Sequence, residues 1–267
     1  MNLCEPLQTS HVLISSWQAV TRRPDDERDA SLRAQGIIPC AKGDRFSELP
    51  SQCEHIVFCA PPGRSFNAAS LLLYPGVISS ALGKWANDAA NASFVFTSSA
   101  GVYAEAGGGV VVEDSPLAET IRAERLLAAE SLVTGCGGRV IRLAGLYHRD
   151  MGAHTIFMGR SEWPADPNGL INQIHYDDAA AAVVAALRTP SAGETLLVSD
   201  DRPMGREAIC AAAVEGLEEF RDSRVPNFTG VAGAGGIGDK ICDSSHTREL
   251  LQWEPRYRTF AHFVESV

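Results

Sequence analysis

Residues 93–103 read Ser-Phe-Val-Phe-Thr-Ser-Ser-Ala-Gly-Val-Tyr, an uncharged run from Ser93 to Thr97 that gives way at once to small hydroxyl residues and a glycine. Such a run predicts a strand buried on both faces, with a loop at its C-terminal end. The same grammar recurs outward in both directions: Gln18–Thr21, Ile37–Cys40, His55–Cys59 (HIVFC, then Ala60-Pro61-Pro62-Gly63), Arg139–Leu143 (RVIRL) and Glu194–Ser199 (ETLLVS). Between them lie alanine- and leucine-rich stretches that read as helices: Asp25–Gln35 closed by Gly36, Ala68–Ala81 interrupted near Pro75-Gly76, Leu117–Val133, Asp178–Leu187 and Arg206–Leu217. Strands alternating with helices imply an α/β fold with a doubly wound parallel sheet. In such a sheet ligands sit at the carboxyl ends of the strands, which directs attention to the loops after Cys59, Thr97 and Leu143.

The chain has 267 residues, 45% of them hydrophobic, which suits one substantial core and makes two independent domains cramped. A formal charge of −10 argues against a nucleic-acid partner, because phosphate backbones need concentrated positive charge. The seven cysteines are scattered with no C-x-x-C pair, so neither a disulfide framework nor a metal site is expected, and a reducing compartment fits better. No stretch is apolar for long enough to span a bilayer, and the N-terminus lacks the pattern of a secretory signal. The reading is therefore a cytoplasmic protein without a membrane partner, with an organelle open if a leader has been removed. It leaves the oligomeric state undefined.

Four segments in order resemble the extended and atypical short-chain dehydrogenase/reductases, the NAD-dependent epimerase/dehydratase family. Thr97-Ser98-Ser99-Ala100-Gly101-Val102-Tyr103, followed ten residues after Tyr103 by Glu113-Asp114-Ser115-Pro116, is similar to that family's TSSxxVYG and ExxP elements. Arg142–Tyr147 resembles RxxxxYGP, Asn172–Asp178 (NQIHYDD) resembles NxIHxxD, and Gly193–Pro203 resembles G-x-x-Y-N-V-x-D-x-x-P. Among its members the chain most resembles the small atypical, YeeZ-like ones. The resemblance implies a single Rossmann-like NAD(P)-binding domain over 1–267, with a small C-terminal substrate lobe drawn from roughly 148–175 and 200–267. It also implies a small-molecule substrate, a nucleotide sugar or similar hydroxylated compound, undergoing redox, epimerisation or dehydration.

Two departures from the family pattern shape these expectations. The G-x-G-x-x-G fingerprint should follow the first strand, yet the first glycine in the chain is Gly36, so the first strand and glycine loop are expected to be missing or replaced ahead of a helix over roughly Leu7–Trp17. Gly233–Gly238 fits the same pattern far from any strand-to-helix junction and reads as a glycine loop. The Y-x-x-x-K pair is absent: the residues four after Tyr74, Tyr103, Tyr147, Tyr176 and Tyr257 are Ile78, Gly107, Met151, Ala180 and Ala261. Without that lysine nothing lowers a tyrosine pKa for proton transfer.

Each site residue has two readings. Ser99 and Tyr103 are the catalytic candidates; against this, Ser99 reads as a turn serine and Tyr103 as a packed ring. The cofactor candidates are Arg22, Arg23, Asp44, Ala60, Pro61, Thr97 and Ser98. Arg22-Arg23 after the second strand favours NADP over NAD, because arginine can receive a 2′-phosphate, although a solvated pair explains it as well. Asp44 suits an adenine contact or an ordinary turn, and Ala60-Pro61 suits a wall beside nicotinamide or simple punctuation after a strand. Tyr147, Asn172 and His175 are the substrate candidates by resemblance, while a histidine in that place also reads as structural, bonded to a carboxylate such as Asp178. Loss of the phosphate cradle predicts weakened cofactor binding. The rival readings are a noncatalytic dinucleotide sensor or scaffold of the same fold, and a protein that binds no cofactor.

Overall fold

The computed structural model describes residues 17–21, 25–41, 50, 52–62, 68–88, 91–200, 202–231 and 239–267. Four parallel strands form the central sheet in the order Thr195–Val198, Arg139–Leu143, Ser93–Ser99, His55–Phe58. Their side chains alternate between two cores. Phe94, Phe96 and Val140 face the helices Ala68–Leu82 and Ile121–Gly135, whereas Val95, Ile141, Leu196 and Val198 face the helix Tyr176–Arg188. Helices on both faces explain why these strands read as continuous apolar runs rather than alternating ones. This is the doubly wound α/β arrangement expected from the sequence.

A second parallel pair, Trp17–Thr21 with Ile37–Ala41, flanks the helix Asp26–Ala34. Asp25 caps that helix by accepting from the Arg28 N–H, and Gly36 closes it at φ 75°. Among the described residues no strand joins this pair to His55–Phe58. The expected loss of a first strand and glycine loop concerns residues 1–16, and the displaced glycine pattern concerns 233–238; both lie outside the described residues.

Two helices differ from expectation. Ala68–Leu82 runs through Pro75 without interruption. The missing N–H is tolerated because Tyr74, Ile78 and Ala81 bury the helix against its neighbour, and the Tyr74 hydroxyl donates to the Ala60 carbonyl at 2.8 Å. The helix expected from Leu117 begins at Ile121, capped by the Thr120 hydroxyl, because Leu117 and Ala118 pair instead with Tyr103 and Val102. Short two-stranded pairs lie outside the central sheet: Gly145–Tyr147 with Gln173–His175, Leu170–Ile171 with Met204–Gly205, Glu162–Trp163 with Asn227–Phe228, and Val110–Val111 with Ile241–Cys242. A third core of Tyr147, Ile209, Leu217, Tyr257, Phe260 and Phe263 sits among them.

Candidate active site at the carboxyl edge of the sheet

Three parallel strands end side by side, and each hands over to a small or open group. His55–Phe58 leads to exposed Ala60 and Pro61, Ser93–Ser99 ends on half-buried Thr97 and Ser99, and Arg139–Leu143 leads to exposed Gly145. This edge therefore brings together Ala60, Pro61, Thr97, Ser98, Ser99 and Tyr103 from the sequence-predicted set. Arg22, Arg23 and Asp44 lie outside the described residues.

Ser98 and Ser99 point to different tasks, as neighbours on a strand must. Ser98 is buried, and its hydroxyl donates to Glu130 Oε1 at 2.5 Å. Ser99 accepts from the Gly101 N–H at 3.1 Å and starts the turn Ala100–Val102, so its turn reading holds locally while it stays half-exposed on the edge.

Tyr103 is 3% exposed, and its hydroxyl has no hydrogen-bond partner among the described residues. Burial pushes its phenol up to about 12, with the Arg142 guanidinium, 4.9 Å from the ring centroid, pulling the other way. A phenol so placed stays protonated at neutral pH, so it can donate a proton or a hydrogen bond but cannot act as a phenolate base. The buried Lys240 ammonium donates to the Tyr103 backbone carbonyl at 3.1 Å and so holds that segment by its main chain.

Beneath Tyr103 lies a polar network absent from the sequence-predicted site. Arg142 gives Glu130 a bond from Nη2 at 2.7 Å and contacts from Nε, and donates through Nη1 to the Glu113 carbonyl at 2.9 Å. Glu113 in turn accepts from the Thr247 hydroxyl and the Leu197 N–H. Burial opposes the Arg142 charge, yet the bonds and charge of Glu130 hold its pKa above the ordinary value. The signal for this network was the sequence RVIRL itself: two arginines in a strand buried on both faces must each have a partner. Arg139 has its own, donating to the Ala186, Thr189 and Pro190 carbonyls and to Glu194.

The substrate candidates form a separate group. Tyr147 and His175 stand side by side in adjacent parallel strands with ring centroids 5.3 Å apart, and both pack on Phe263. Burial lowers the His175 pKa, and its Nδ1 accepts from the Asp177 N–H at 3.2 Å. Asp178 is bonded to the Arg256 and Tyr257 N–H groups, so its two oxygens clamp the C-terminal segment and do not serve the histidine. Asn172 is committed likewise: its amide donates to the Lys240 carbonyl and accepts from the Cys242 N–H, both at 2.8 Å.

The fold and this edge define a Rossmann-type α/β protein with a parallel central sheet, the architecture of epimerases and dehydratases. Three solved structures show the likeness. A functionally unknown conserved protein from Silicibacter pomeroyi is 19% identical with a TM-score of 0.69, covering 94% of this chain and 90% of its own. UDP-N-acetylglucosamine 4-epimerase from Bacillus cereus is 18% identical with a TM-score of 0.66, over 89% and 91%. UDP-glucuronic acid 4-epimerase from the same organism, solved with NAD, is 16% identical with a TM-score of 0.71, over 98% and 92%. No family model matches the chain, and no curated protein matches it in sequence. At these identities the likeness establishes the fold.

Proposed function

We propose that the chain is a nicotinamide-dinucleotide-binding protein of the epimerase/dehydratase kind, related to the YeeZ-like atypical members and acting on a nucleotide sugar or similar hydroxylated small molecule. The observation that carries the reading is the open carboxyl edge, where exposed Ala60 and Pro61, half-buried Thr97 and Ser99, and exposed Gly145 stand at the ends of three adjacent parallel strands. That edge fits the nicotinamide end of a dinucleotide, whose ring chemistry is hydride transfer. The residues expected to meet pyrophosphate and adenine, including Asp44, belong to segments outside the described residues. Solved neighbours of the same fold were crystallised with NAD or with NADPH. Arg22 and Arg23 are the basis for assigning NADP over NAD.

In this reading Ala60 and Pro61 form the wall beside nicotinamide and Thr97 the floor, while Ser98 holds the strand end from behind through Glu130. Ser99 orients a substrate hydroxyl or carbonyl, Tyr103 donates a proton or hydrogen bond, and Tyr147, Asn172 and His175 frame the substrate side. The setting is cytoplasmic; no helix among the described residues is long and apolar enough to cross a membrane.

One observation favours a second reading. Tyr103 is buried, its phenol is pushed up to about 12, and Lys240 bonds its carbonyl and not its hydroxyl, so a dinucleotide sensor without turnover uses the same edge without asking Tyr103 for chemistry. Isothermal titration of NADPH and NADH into the native chain and into Ala60→Trp separates the outcomes. Binding of NADPH tighter than NADH, abolished by the tryptophan, is the expected result. No binding of either nucleotide overturns the proposal. Binding without conversion of any nucleotide sugar, followed by proton NMR, selects the sensor.

A further inference from the structure

We propose that the cavity beside Trp253 binds a free, zwitterionic α-amino acid, at a site apart from the carboxyl edge and independent of the dinucleotide reading. The cavity measures about 450 Å³ and is lined by Ser245, Arg248, Glu249, Gln252, Trp253 and Glu254. These residues belong to the helix Ser245–Leu251 and the turn that follows it, packed against Thr195–Val198. That strand is the opposite edge of the sheet from His55–Phe58, and none of the lining residues is shared with the strand ends at Ala60, Pro61, Thr97 and Ser99. Gln252 ends the helix in the left-handed conformation at φ 50°, and the Trp253 N–H returns to the Arg248 carbonyl at 3.1 Å. The turn thereby folds Trp253 back onto the core, with Leu251, Ala182 and Val183.

The lining divides by charge and depth. Trp253 is 7% exposed, yet its Nε1 has no hydrogen-bond partner among the described residues, and a buried donor left so is costly. The Arg248 side chain in the same wall is 13% exposed. Its Nη1 stands 3.7 Å from Glu254 Oε2, beyond hydrogen-bond length, and its Nη2 donates to the Ser244 hydroxyl at 3.4 Å. An indole N–H and a guanidinium together suit one carboxylate. Glu249 and Glu254 are exposed, so the solvent side of the cavity bears two negative charges. A plain anion is repelled by those two, and a plain amine by Arg248. An α-amino acid satisfies both halves, its carboxylate inward on Arg248 and Trp253 and its ammonium outward toward Glu249 and Glu254. The volume lies in the range of small-molecule sites.

Saturation-transfer NMR titrations with three probes test this: L-valine, isovalerate, which lacks the ammonium, and isobutylamine, which lacks the carboxylate. On the native chain valine should bind about tenfold tighter than either half, the worth of one hydrogen bond to a charged group. Trp253→Phe keeps the buried ring and removes the N–H, and Arg248→Gln removes the charge; each should raise the valine Kd by about tenfold. The double change Glu249→Gln with Glu254→Gln alters exposed residues only, and should make valine and isovalerate bind alike. That pair also keeps the test decisive if thermal melts show Arg248→Gln or Trp253→Phe unfolded. Absence of transfer to valine on the native chain, isovalerate or isobutylamine binding as tightly as valine, or a valine Kd unchanged in the folded variants overturns the site.

Discussion

Glu130 is the residue on which the interior beneath Tyr103 depends, and Glu130→Ala should be among the most destabilising single changes in the chain. The carboxylate takes bonds from Ser98 and from Nε and Nη2 of Arg142, with the pair almost wholly removed from water. Its removal leaves the guanidinium buried with one carbonyl partner, Glu113, and the face of the Tyr103 ring. Losing one partner of a buried pair costs about 3–5 kcal/mol, because the remaining charge stays desolvated. Glu130→Gln keeps the shape and one acceptor but loses the charge assistance, for a loss of about 2 kcal/mol. In a chain of this size, each 1 kcal/mol lowers Tm by roughly 2–4 °C, so the alanine variant should melt about 10 °C below the native protein. Glu130→Leu combined with Arg142→Leu removes both charges and should cost less than Glu130→Ala alone. Urea and thermal denaturation followed by circular dichroism measure all three. A loss below about 1 kcal/mol for Glu130→Ala, or a double variant worse than the single one, would mean that the buried Arg142 charge does not depend on Glu130.

Three further outcomes follow from the same structure. Burial holds the Tyr103 phenol near 12, against about 10 in the unfolded chain, so this group's contribution is complete below pH 10 and lost as the pH climbs through 12. The loss amounts to about 3 kcal/mol, and urea titrations of Tyr103→Phe between pH 9 and about 12 should lack it. His154 is fully buried against Phe260, with Arg149, Glu219, His148 and Asp150 around it, and burial lowers its pKa. Its stabilisation is present above the unfolded value of about 6.5 and lost as the pH falls toward the lowered value, so His154→Phe should flatten the decline in stability from about pH 7.5 to about pH 5.5. Gly193 has φ 80°, and an added Cβ would lie 2.6 Å from the Thr134 carbonyl, so Gly193→Ala should cost on the order of 2 kcal/mol by chemical denaturation.

The strands were legible because burial on both faces leaves an uninterrupted apolar run. Arg139–Leu143 has the bounds read from the sequence, and His55–Phe58 and Thr195–Val198 fall within a residue at each end. Helix starts were less legible. Leu117 suits a helix by composition, yet the bridge to Tyr103 holds it extended, and that contact is invisible locally. Pro75 reads as a breaker until its helix is seen packed along Ile121–Gly135. The candidate site was legible as a place, the loops after three strands, more than as chemistry. Ser98 and Asn172 carry groups that suit a ligand, and only their partners show them holding the protein together.

The proposed function places the ligand on the carboxyl edge of the parallel sheet, at the strand ends around Ala60, Pro61, Thr97 and Ser99. Hydrogen exchange read by mass spectrometry, with and without saturating NADPH, tests it most directly. Slowed exchange confined to the segments 59–62 and 97–103 is the predicted result. Unchanged exchange there, with protection elsewhere or nowhere, would contradict it.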